Sequence, residues 1–167
     1  MNTGQMLLTL GALVLLSLLT LQVNSGQLST QVTMQNSKFG ILAISIASSF
    51  IEEATEKAFD ENSTEDFVTL LSSLTSRGNF GPDNGEKPLD KDTFDDFDDY
   101  HGFATTITDL PSAVFSVVCT VIYVDPDVSG FISLKNTWHK QITVTVTSPS
   151  MSDEIQMSKV FSYWKFP

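Results

Sequence analysis

The chain has 167 residues, which is the size of one domain with a single core. Twenty Asp and Glu side chains against nine Lys and Arg give a formal net charge of −11, which argues against a nucleic-acid partner. Because Cys119 is the only cysteine and there are two His, an intramolecular disulfide, a thiolate zinc site and an iron–sulfur cluster are excluded.

The N-terminal part is strongly apolar and carries no charged side chain before Lys38. Within it, Met6 to Val23 is a leucine-rich run that would be about 27 Å long as a helix, enough to cross a bilayer core. The run therefore predicts a retained membrane helix. The alternative is a cleavable secretory signal, with small or branched residues for the peptidase at Val23-Asn24-Ser25. The length of the run and the uncharged residues before it favour the retained helix over the signal, and a buried helix of a soluble domain is the poorest third interpretation.

The apolar run continues into an amphipathic pattern with steps of mostly three or four residues. The stripe consists of Leu28, Val32, Phe39, Leu42, Ile46, Phe50, Ala54 and Ala58. This predicts one helix from Gln5 to Asp60, roughly 84 Å long, which bends or loosens near Asn24 to Gly26 or at Gly40. Its second half should cover a face of the domain, and its first half needs lipid or another subunit.

The remaining pattern predicts a short helix, an extended loop and an antiparallel sheet. The short helix should begin at Ser63 as N-cap and end at Gly78, and the loop should run from Asn79 to Gly102. The expected strands are 113–124, central and covered on both faces, then 131–134, 142–147 with one solvated face, and 159–166. The predicted fold class is α+β, with a long N-terminal helix packed by its C-terminal half on an antiparallel sheet.

Three short stretches stand out along this order of elements. They are Gly4-Gln5 directly before the apolar helix, the stretch FDDFDDYHGF at 94–103, and the stretch KQITVTVT at 140–147. Together with the helix-then-sheet order, they resemble type IV pilin-like proteins, which include pilins, minor pilins and the pseudopilins of type II secretion. The last two stretches look most like minor pilins of the mannose-sensitive haemagglutinin type.

The resemblance implies a processed subunit of a filament. Residues 1–4 would be a short leader removed after Gly4, which leaves Gln5 as the first mature residue. Residues 5–27 would be the transmembrane or filament-core helix, and 28–167 the globular head. The partners would be copies of the same chain or other pilin-like subunits, with the membrane as the location before assembly. The implied filament-core residues are Met6, Leu7, Leu8, Leu10, Leu13, Val14, Leu15, Leu16, Leu18 and Leu19.

The chain departs from the family pattern at its N-terminus. Family members usually carry Lys or Arg in the leader and Glu at the fifth mature position, whose carboxylate is thought to neutralise a terminal amine in the apolar filament core. Here the leader is uncharged and that position is Thr9. An uncompensated ammonium in an apolar core is costly. This cost would be avoided if another group accepted from the ammonium, if the amine were masked, or if the subunit lay at the end of the filament.

The extended loop concentrates acidic and aromatic residues. Phe94, Phe97, Tyr100 and Phe103 recur every three residues, a spacing that predicts buried rings with the carboxylates turned outward. Hard oxygen ligands suit calcium, and pseudopilins that bind calcium before their last strands support that alternative to a solvated, metal-free loop. The candidate calcium ligands are Asp95, Asp96, Asp98 and Asp99.

No other site is indicated strongly. Asn62-Ser63-Thr64 is a glycosylation sequon, which matters only outside the cytoplasm. His101 and Cys119 have no catalytic partner at an interpretable spacing, so we expect no catalytic residue, no enzyme activity and no cofactor besides calcium. Three functions remain: a subunit of an extracellular or periplasmic filament, a membrane-anchored binding module, and a protein secreted after signal removal.

Overall fold

The computed structural model describes residues 2–111, 113–128 and 132–164. In these residues one α-helix precedes four strands, and short 3-10 turns lie between the helix and the first strand. The elements are α1 Thr3–Glu56, β1 Ala104–Ile107, β2 Phe115–Tyr123, β3 His139–Thr147 and β4 Ile155–Ser162. The predicted α+β class is confirmed.

Helix α1 runs without interruption through Asn24 to Gly26, so the predicted loosening there is wrong. Hydroxyl side chains bridge this region by bonding to carbonyls one turn earlier. Ser25 Oγ donates to the Gln22 carbonyl at 3.0 Å, and Thr30 Oγ1 donates to the Gly26 carbonyl at 3.0 Å. Such bonds satisfy hydroxyls inside an apolar helix. The helix ends at Glu56, four residues before the predicted end.

The chain divides into two compact units, residues 1–38 and 39–167. The described part of the first unit is almost wholly the N-terminal part of α1, in which the stripe residues Leu28 and Val32 are more than half exposed. In the second unit, Phe39 to Glu56 packs on the sheet, with Ala43, Ala47 and Ala54 fully buried. Alanine at these positions lets the helix backbone lie close to the strands.

The sheet is fully antiparallel, with the spatial order β1-β2-β3-β4. Cys119 lies opposite Val144, and Val144 lies opposite Met157. Paired residues on neighbouring strands therefore point to the same face of the sheet. The inward residues of β2 and β3 are fully buried against α1 and the aromatic rings of residues 94–103, which we call the acidic loop. The core therefore lies on one side of the sheet.

The predicted short helix after Ser63 is wrong. The 3-10 turn Leu71–Ser73 lies within its range, and the turns Glu61–Ser63 and Arg77–Asn79 overlap its two ends. Long-range hydrogen bonds from two backbone amides hold this segment out of a helix. The Val68 amide donates to the Tyr163 hydroxyl at 3.0 Å, and the Thr75 amide donates to both carboxylate oxygens of Asp60 at 3.0 and 3.1 Å. Tertiary partners thus override local helix propensity.

The strand predictions hold in part. The 142–147 strand is confirmed with its buried Ile142, Val144 and Val146. The central position of β2 is confirmed, but coverage on both faces is wrong, because α1 packs on one face and Val118 remains 47% exposed on the other.

At the other predicted strands the structure departs further from the pattern. Residues 131–134 show one antiparallel bridge, Val124 to Ile132, with Phe131 outside the described residues. The last strand begins earlier, at Ile155, and Phe166 of its predicted range also lies outside the described residues. Strand β1, Ala104–Ile107, was not predicted.

Candidate functional site

The N-terminal part of α1 exposes apolar side chains in every direction. The ten residues implied as filament core are each between 54 and 76% exposed. This part of α1 is long and apolar enough to cross a membrane, and none of its most apolar stretch is buried. A helix that is apolar all round needs a non-aqueous environment, either lipid or other helices.

The expected processing junction lies at the beginning of this helix. Gly4 and Gln5 belong to the first turn, where the Gln5 amide donates to the Asn2 carbonyl at 2.9 Å. Four residues further on, Thr9 Oγ1 donates to the Met6 carbonyl at 2.9 Å. Since Thr9 is uncharged, it does not supply the negative charge that type IV pilin-like proteins usually place there.

The rings of the acidic loop are buried, as their spacing predicts. Phe94, Phe97, Tyr100 and Phe103 are all at most 4% exposed. The Phe94 ring meets the Phe103 ring edge-on, with centroids 5.5 Å apart, and the Phe97 and Phe161 centroids are 5.1 Å apart. Contacts of this geometry add to the hydrophobic gain of burial and fasten the loop to the sheet.

The carboxylates between the rings do not all turn outward, so that prediction is wrong for three of four. Asp95 is exposed, but Asp96, Asp98 and Asp99 are at most 3% exposed. Asp96 Oδ1 accepts from the amides of Asp98 and Asp99 at 2.7 and 3.1 Å. Asp99 Oδ2 accepts in turn from the amides of Asp95 and Asp96 at 3.2 and 3.0 Å. Satisfying these backbone donors draws the carboxylates inward.

Asp98 instead meets a buried lysine from the sheet. Lys140 is fully buried on β3, and its Nζ donates to the Asp98 carboxylate, to Asp60 Oδ2 at 2.8 Å and to the Phe59 carbonyl at 2.8 Å. An ammonium has three protons, and each has a partner here. The ammonium also lies 4.6 Å from the centroid of the Phe59 ring. We call Asp60, Asp98 and Lys140 the buried charge cluster.

Sequence reasoning did not assign a role to Lys140, although a signal was present. Lys140 has the same parity as Ile142, Val144 and Val146 and therefore points to the buried face of β3. A lysine on the apolar side of a strand needs a buried acid as partner. The buried charge cluster also joins the 94–103 and 140–147 stretches that carry the family resemblance.

Burial and mutual repulsion shift the carboxyl groups of the loop. Burial, reinforced by the charges of Asp98 and Asp99, raises the pKa of Asp96 to about 9. Burial raises the pKa of Asp98 to about 6, against the opposing effect of the Lys140 ammonium. Burial, together with the nearby Glu86, raises the pKa of Asp99 to about 7. Asp96 is therefore protonated at neutral pH.

The structure groups a different acidic set from the expected calcium ligands. Oxygens of Glu86, Asp95 and Asp99 lie within 4.8 Å of one another, whereas Asp96 and Asp98 are engaged with backbone amides and Lys140. Glu86 also accepts from the amides of Asp95 at 3.0 Å and Asp83 at 2.8 Å. Calcium takes six to eight oxygen ligands, so three carboxylates would need further donors. Calcium binding stays a prediction.

The other residues that the sequence singled out are Asn62, His101 and Cys119, and their surroundings show no catalytic grouping among the described residues. Asn62 is exposed on the turn after α1, and its side-chain Nδ2 donates to Asp60 Oδ1 at 3.4 Å. His101 Nδ1 accepts from the Val121 amide at 3.1 Å. Cys119 is fully buried, and burial raises the pKa of its thiol to about 12, so it is protonated and inert at neutral pH.

Comparison with protein-family models, curated proteins and solved structures gave no match. A long apolar N-terminal helix with its later half packed on an antiparallel sheet is nevertheless a pilin-like layout.

Proposed function

We propose that this chain is a structural subunit of a type IV pilus-like or pseudopilus-like filament and that it assembles through its N-terminal hydrophobic helix. One observation carries the proposal. Helix α1 is continuous from Thr3 to Glu56; its large apolar side chains between Met6 and Leu19 are more than half exposed, and from Phe39 onward it packs into the core of the head.

The absence of a linker within α1 supports a filament over an anchored module. A binding module tethered to a membrane tolerates a flexible spacer, rich in Gly, Ser or Pro, between anchor and domain. In α1 the helix crosses the boundary between the two compact units at Lys38 without a break. Residues 3–56 form one helix and contain no such spacer.

In this proposal the chain is first held in the membrane by residues 5–27 and is cleaved after Gly4. Copies of the chain, or other pilin-like subunits, then bundle their helices so that residues such as Leu8 and Leu15 meet in a common apolar core. The filament lies outside the cytoplasm, extracellular or periplasmic. The role is non-enzymatic, and catalytic residues are not invoked.

One observation favours a second candidate, a single-pass membrane-anchored binding module. No side chain between Gln5 and Gln27 carries a carboxylate, and the Thr9 hydroxyl is bonded within its own helix. A mature terminal ammonium would therefore lack a charged acceptor in an all-apolar core. A membrane anchor with an unprocessed N-terminus outside the core has no such difficulty. A protein secreted after signal removal is the third candidate.

N-terminal sequencing of the mature protein, combined with electron microscopy of sheared cell-surface material, tests the proposal. A filament whose subunit begins at Gln5 is the expected result. If the chain is membrane-bound, begins at Met1 and forms no filaments, the filament function is refuted and the anchored binding module is favoured. Soluble chain that begins at Gly26 would show that the apolar run is a signal.

A filament-core variant makes the same test sharper. Leu13→Asp places a carboxylate in the exposed apolar segment and should abolish filaments while the head stays folded, because Leu13 is 61% exposed and lies outside the 39–167 unit. Leu134→Asp, at a leucine of the head unit that is 84% exposed, is the matched control and should leave filaments unchanged.

A further inference from the structure

Aromatic rings surround the Lys140 ammonium inside the head. Its Nζ lies 4.6, 5.1 and 5.5 Å from the ring centroids of Phe59, Phe80 and Tyr123. The Lys140 side chain is 0% exposed, so bulk water does not reach Nζ. Surroundings of this kind favour a condensation, which releases water, and slow the hydrolysis that would reverse it.

The carboxyl group of Asp98 is held directly against this amine. Lys140 Nζ donates to Asp98 Oδ1, so the carboxyl carbon lies one bond from the contacted oxygen. The Asp98 backbone is fixed on both sides, because its amide donates to Asp96 Oδ1 at 2.7 Å and its carbonyl accepts from the His101 amide at 2.9 Å. An amine and a carboxyl group positioned in this way react as if at a very high concentration.

The second carboxylate of the buried charge cluster has donors besides the lysine. Asp60 Oδ2 accepts from Lys140 Nζ at 2.8 Å. The same carboxylate accepts from the Thr75 amide at 3.0 and 3.1 Å, from the Thr75 hydroxyl at 3.2 Å and from the Asn62 amide at 3.3 Å. Asp60 therefore keeps hydrogen-bond donors when the ammonium loses its charge, and it lies within reach of the Nζ protons.

We propose that Lys140 and Asp98 condense into an intramolecular amide, a covalent cross-link between the acidic loop and β3. Because Cys119 is the only cysteine, a disulfide within the chain cannot supply such a link. The bond joins residues 42 positions apart and restricts the unfolded chain in the way that a disulfide does. The proposal does not depend on the filament function, since the reacting groups all lie inside the head.

The condensation needs no oxidant, reductant or co-reactant, and the ion pair is the state before it. The Lys140 ammonium transfers one proton to the Asp98 carboxylate, which leaves a neutral amine beside a carboxylic acid. The amine lone pair attacks the Asp98 carboxyl carbon and forms the C–N bond, while Asp60 takes a second proton from Nζ. Asp60 returns this proton to the departing hydroxyl, the C–O bond breaks and one water leaves. The product is an amide with one N–H, and Asp60 is again a carboxylate.

Mass spectrometry of the full-length chain, purified in detergent and incubated overnight in the folded state, tests the proposal. The intact mass in denaturant should be one water molecule below that of the chain with the N-terminus found by sequencing. Chymotrypsin cleaves after Phe97, Tyr100 and Trp138. Digestion should therefore release a branched peptide in which residues 98–100 are joined to a peptide that begins at His139. Absence of this branched peptide would overturn the proposal, whatever the intact mass, and would leave a buried ion pair.

A lysine variant shows which amine reacts. Lys140→Arg should keep its full mass, because the charged guanidinium is no substitute for a free amine. Lys159→Arg, at an exposed lysine of β4, is the matched control and should still lose one water. Loss of water from the Lys140→Arg chain would overturn the assignment to Lys140. The branched peptide of the wild-type chain is the primary result, and it does not depend on how well a variant folds.

The rate of cross-linking tests the part played by Asp60. After dilution from urea into detergent, Asp60→Asn should lose water at least about tenfold more slowly than the wild-type chain, because an amide does not relay the proton. Asp92→Asn, whose parent side chain is 82% exposed, is the matched control and should react at the wild-type rate. Near-ultraviolet circular dichroism checks that each variant is folded. Equal rates for folded Asp60→Asn and wild type would overturn the proton transfer through Asp60.

Discussion

Lys140 links three parts of the head that are far apart in sequence. Its ammonium binds the end of the α1 region through the Phe59 carbonyl and Asp60, and it binds the acidic loop through Asp98. The described residues contain no buried side-chain nitrogen or oxygen without a hydrogen-bond partner. A buried charge held this completely is costly to disturb, because removing one member leaves the others unpaired.

Replacing Lys140 by Met should therefore destabilise the head by about 3 to 5 kcal/mol, since two buried carboxylates lose their cation. Urea denaturation of the full-length chain in detergent, followed by aromatic fluorescence, measures this. Lys159→Met is the matched control, because Lys159 is exposed on β4 and donates to Thr55 Oγ1 at 3.2 Å. A loss below about 1 kcal/mol for Lys140→Met would contradict the role of the cluster.

The raised pKa values predict an unusual dependence of stability on pH. Asp96 keeps its proton in the folded chain up to about pH 9 but loses it in the unfolded chain near pH 4. Between these values the folded state binds more protons, so the free energy of unfolding falls as pH rises. Asp99, with a pKa raised to about 7, adds to the fall below that pH.

Asp96→Asn should flatten this profile between pH 5 and 8.5, because a neutral amide oxygen still accepts from the two backbone amides. The melting temperature, measured across that range for wild type and variant, checks the expectation. Asp92→Asn, whose parent side chain is 82% exposed, should keep the wild-type slope. Parallel profiles for wild type and Asp96→Asn would show that Asp96 is ionised in the folded head.

At the scale of elements, the contact between the second half of α1 and the sheet depends on a narrow set of side chains. Phe50 is 7% exposed and its ring lies 6.1 Å from that of Phe103. Three fully buried alanines flank it along the helix. One large ring thus fills space that the small residues leave between helix and strands.

Phe50→Asp should unfold the head at 25 °C, because it combines a lost ring with an unpaired buried carboxylate. Ile44→Asp is the control on the same helix, since Ile44 is 47% exposed, and it should cost less than about 1 kcal/mol. Near-ultraviolet circular dichroism reports the packing of the rings. An unchanged spectrum for Phe50→Asp would refute the helix–sheet contact.

At the scale of the whole molecule, the apolar surface and the charge are separated along the chain. The first 37 residues carry no charge, whereas the net charge of −11 arises after them. The boundary between the two compact units, after Lys38, nearly coincides with the position where charged side chains begin. The uncharged N-terminal unit is therefore expected to favour association, and the charged unit to favour solubility.

Deleting Met6 to Val23 should consequently give a soluble, monomeric head that keeps the melting behaviour of the full-length chain. The buried part of α1 begins well after the deletion, so the core is untouched. Analytical ultracentrifugation in detergent-free buffer checks the mass. The full-length chain in the same buffer should pellet as filaments or membrane. A deletion variant that still pellets would place the association surface in the head.

The elements that depend on local pattern are predictable from the sequence. Helical spacing and the absence of charge predicted α1, strict alternation predicted the 142–147 strand, and the spacing of aromatic residues predicted burial of Phe94, Phe97, Tyr100 and Phe103. These features follow from which side of an element is apolar, and periodicity reports that directly.

The hydrogen-bond and ion-pair partners of polar groups depend instead on contacts between residues that are remote in sequence. The sequence pattern after Ser63 predicts a helix, but the Val68 amide donates to the Tyr163 hydroxyl and the Thr75 amide donates to the Asp60 carboxylate instead of to helical carbonyls. The acids near Phe97 looked solvated, but Asp98 meets Lys140, which lies 42 residues further along the chain. Only folding sets such distances, because a hydrogen bond between remote residues leaves no period in the sequence. The one-sided sheet has the same origin, since one helix covers one face.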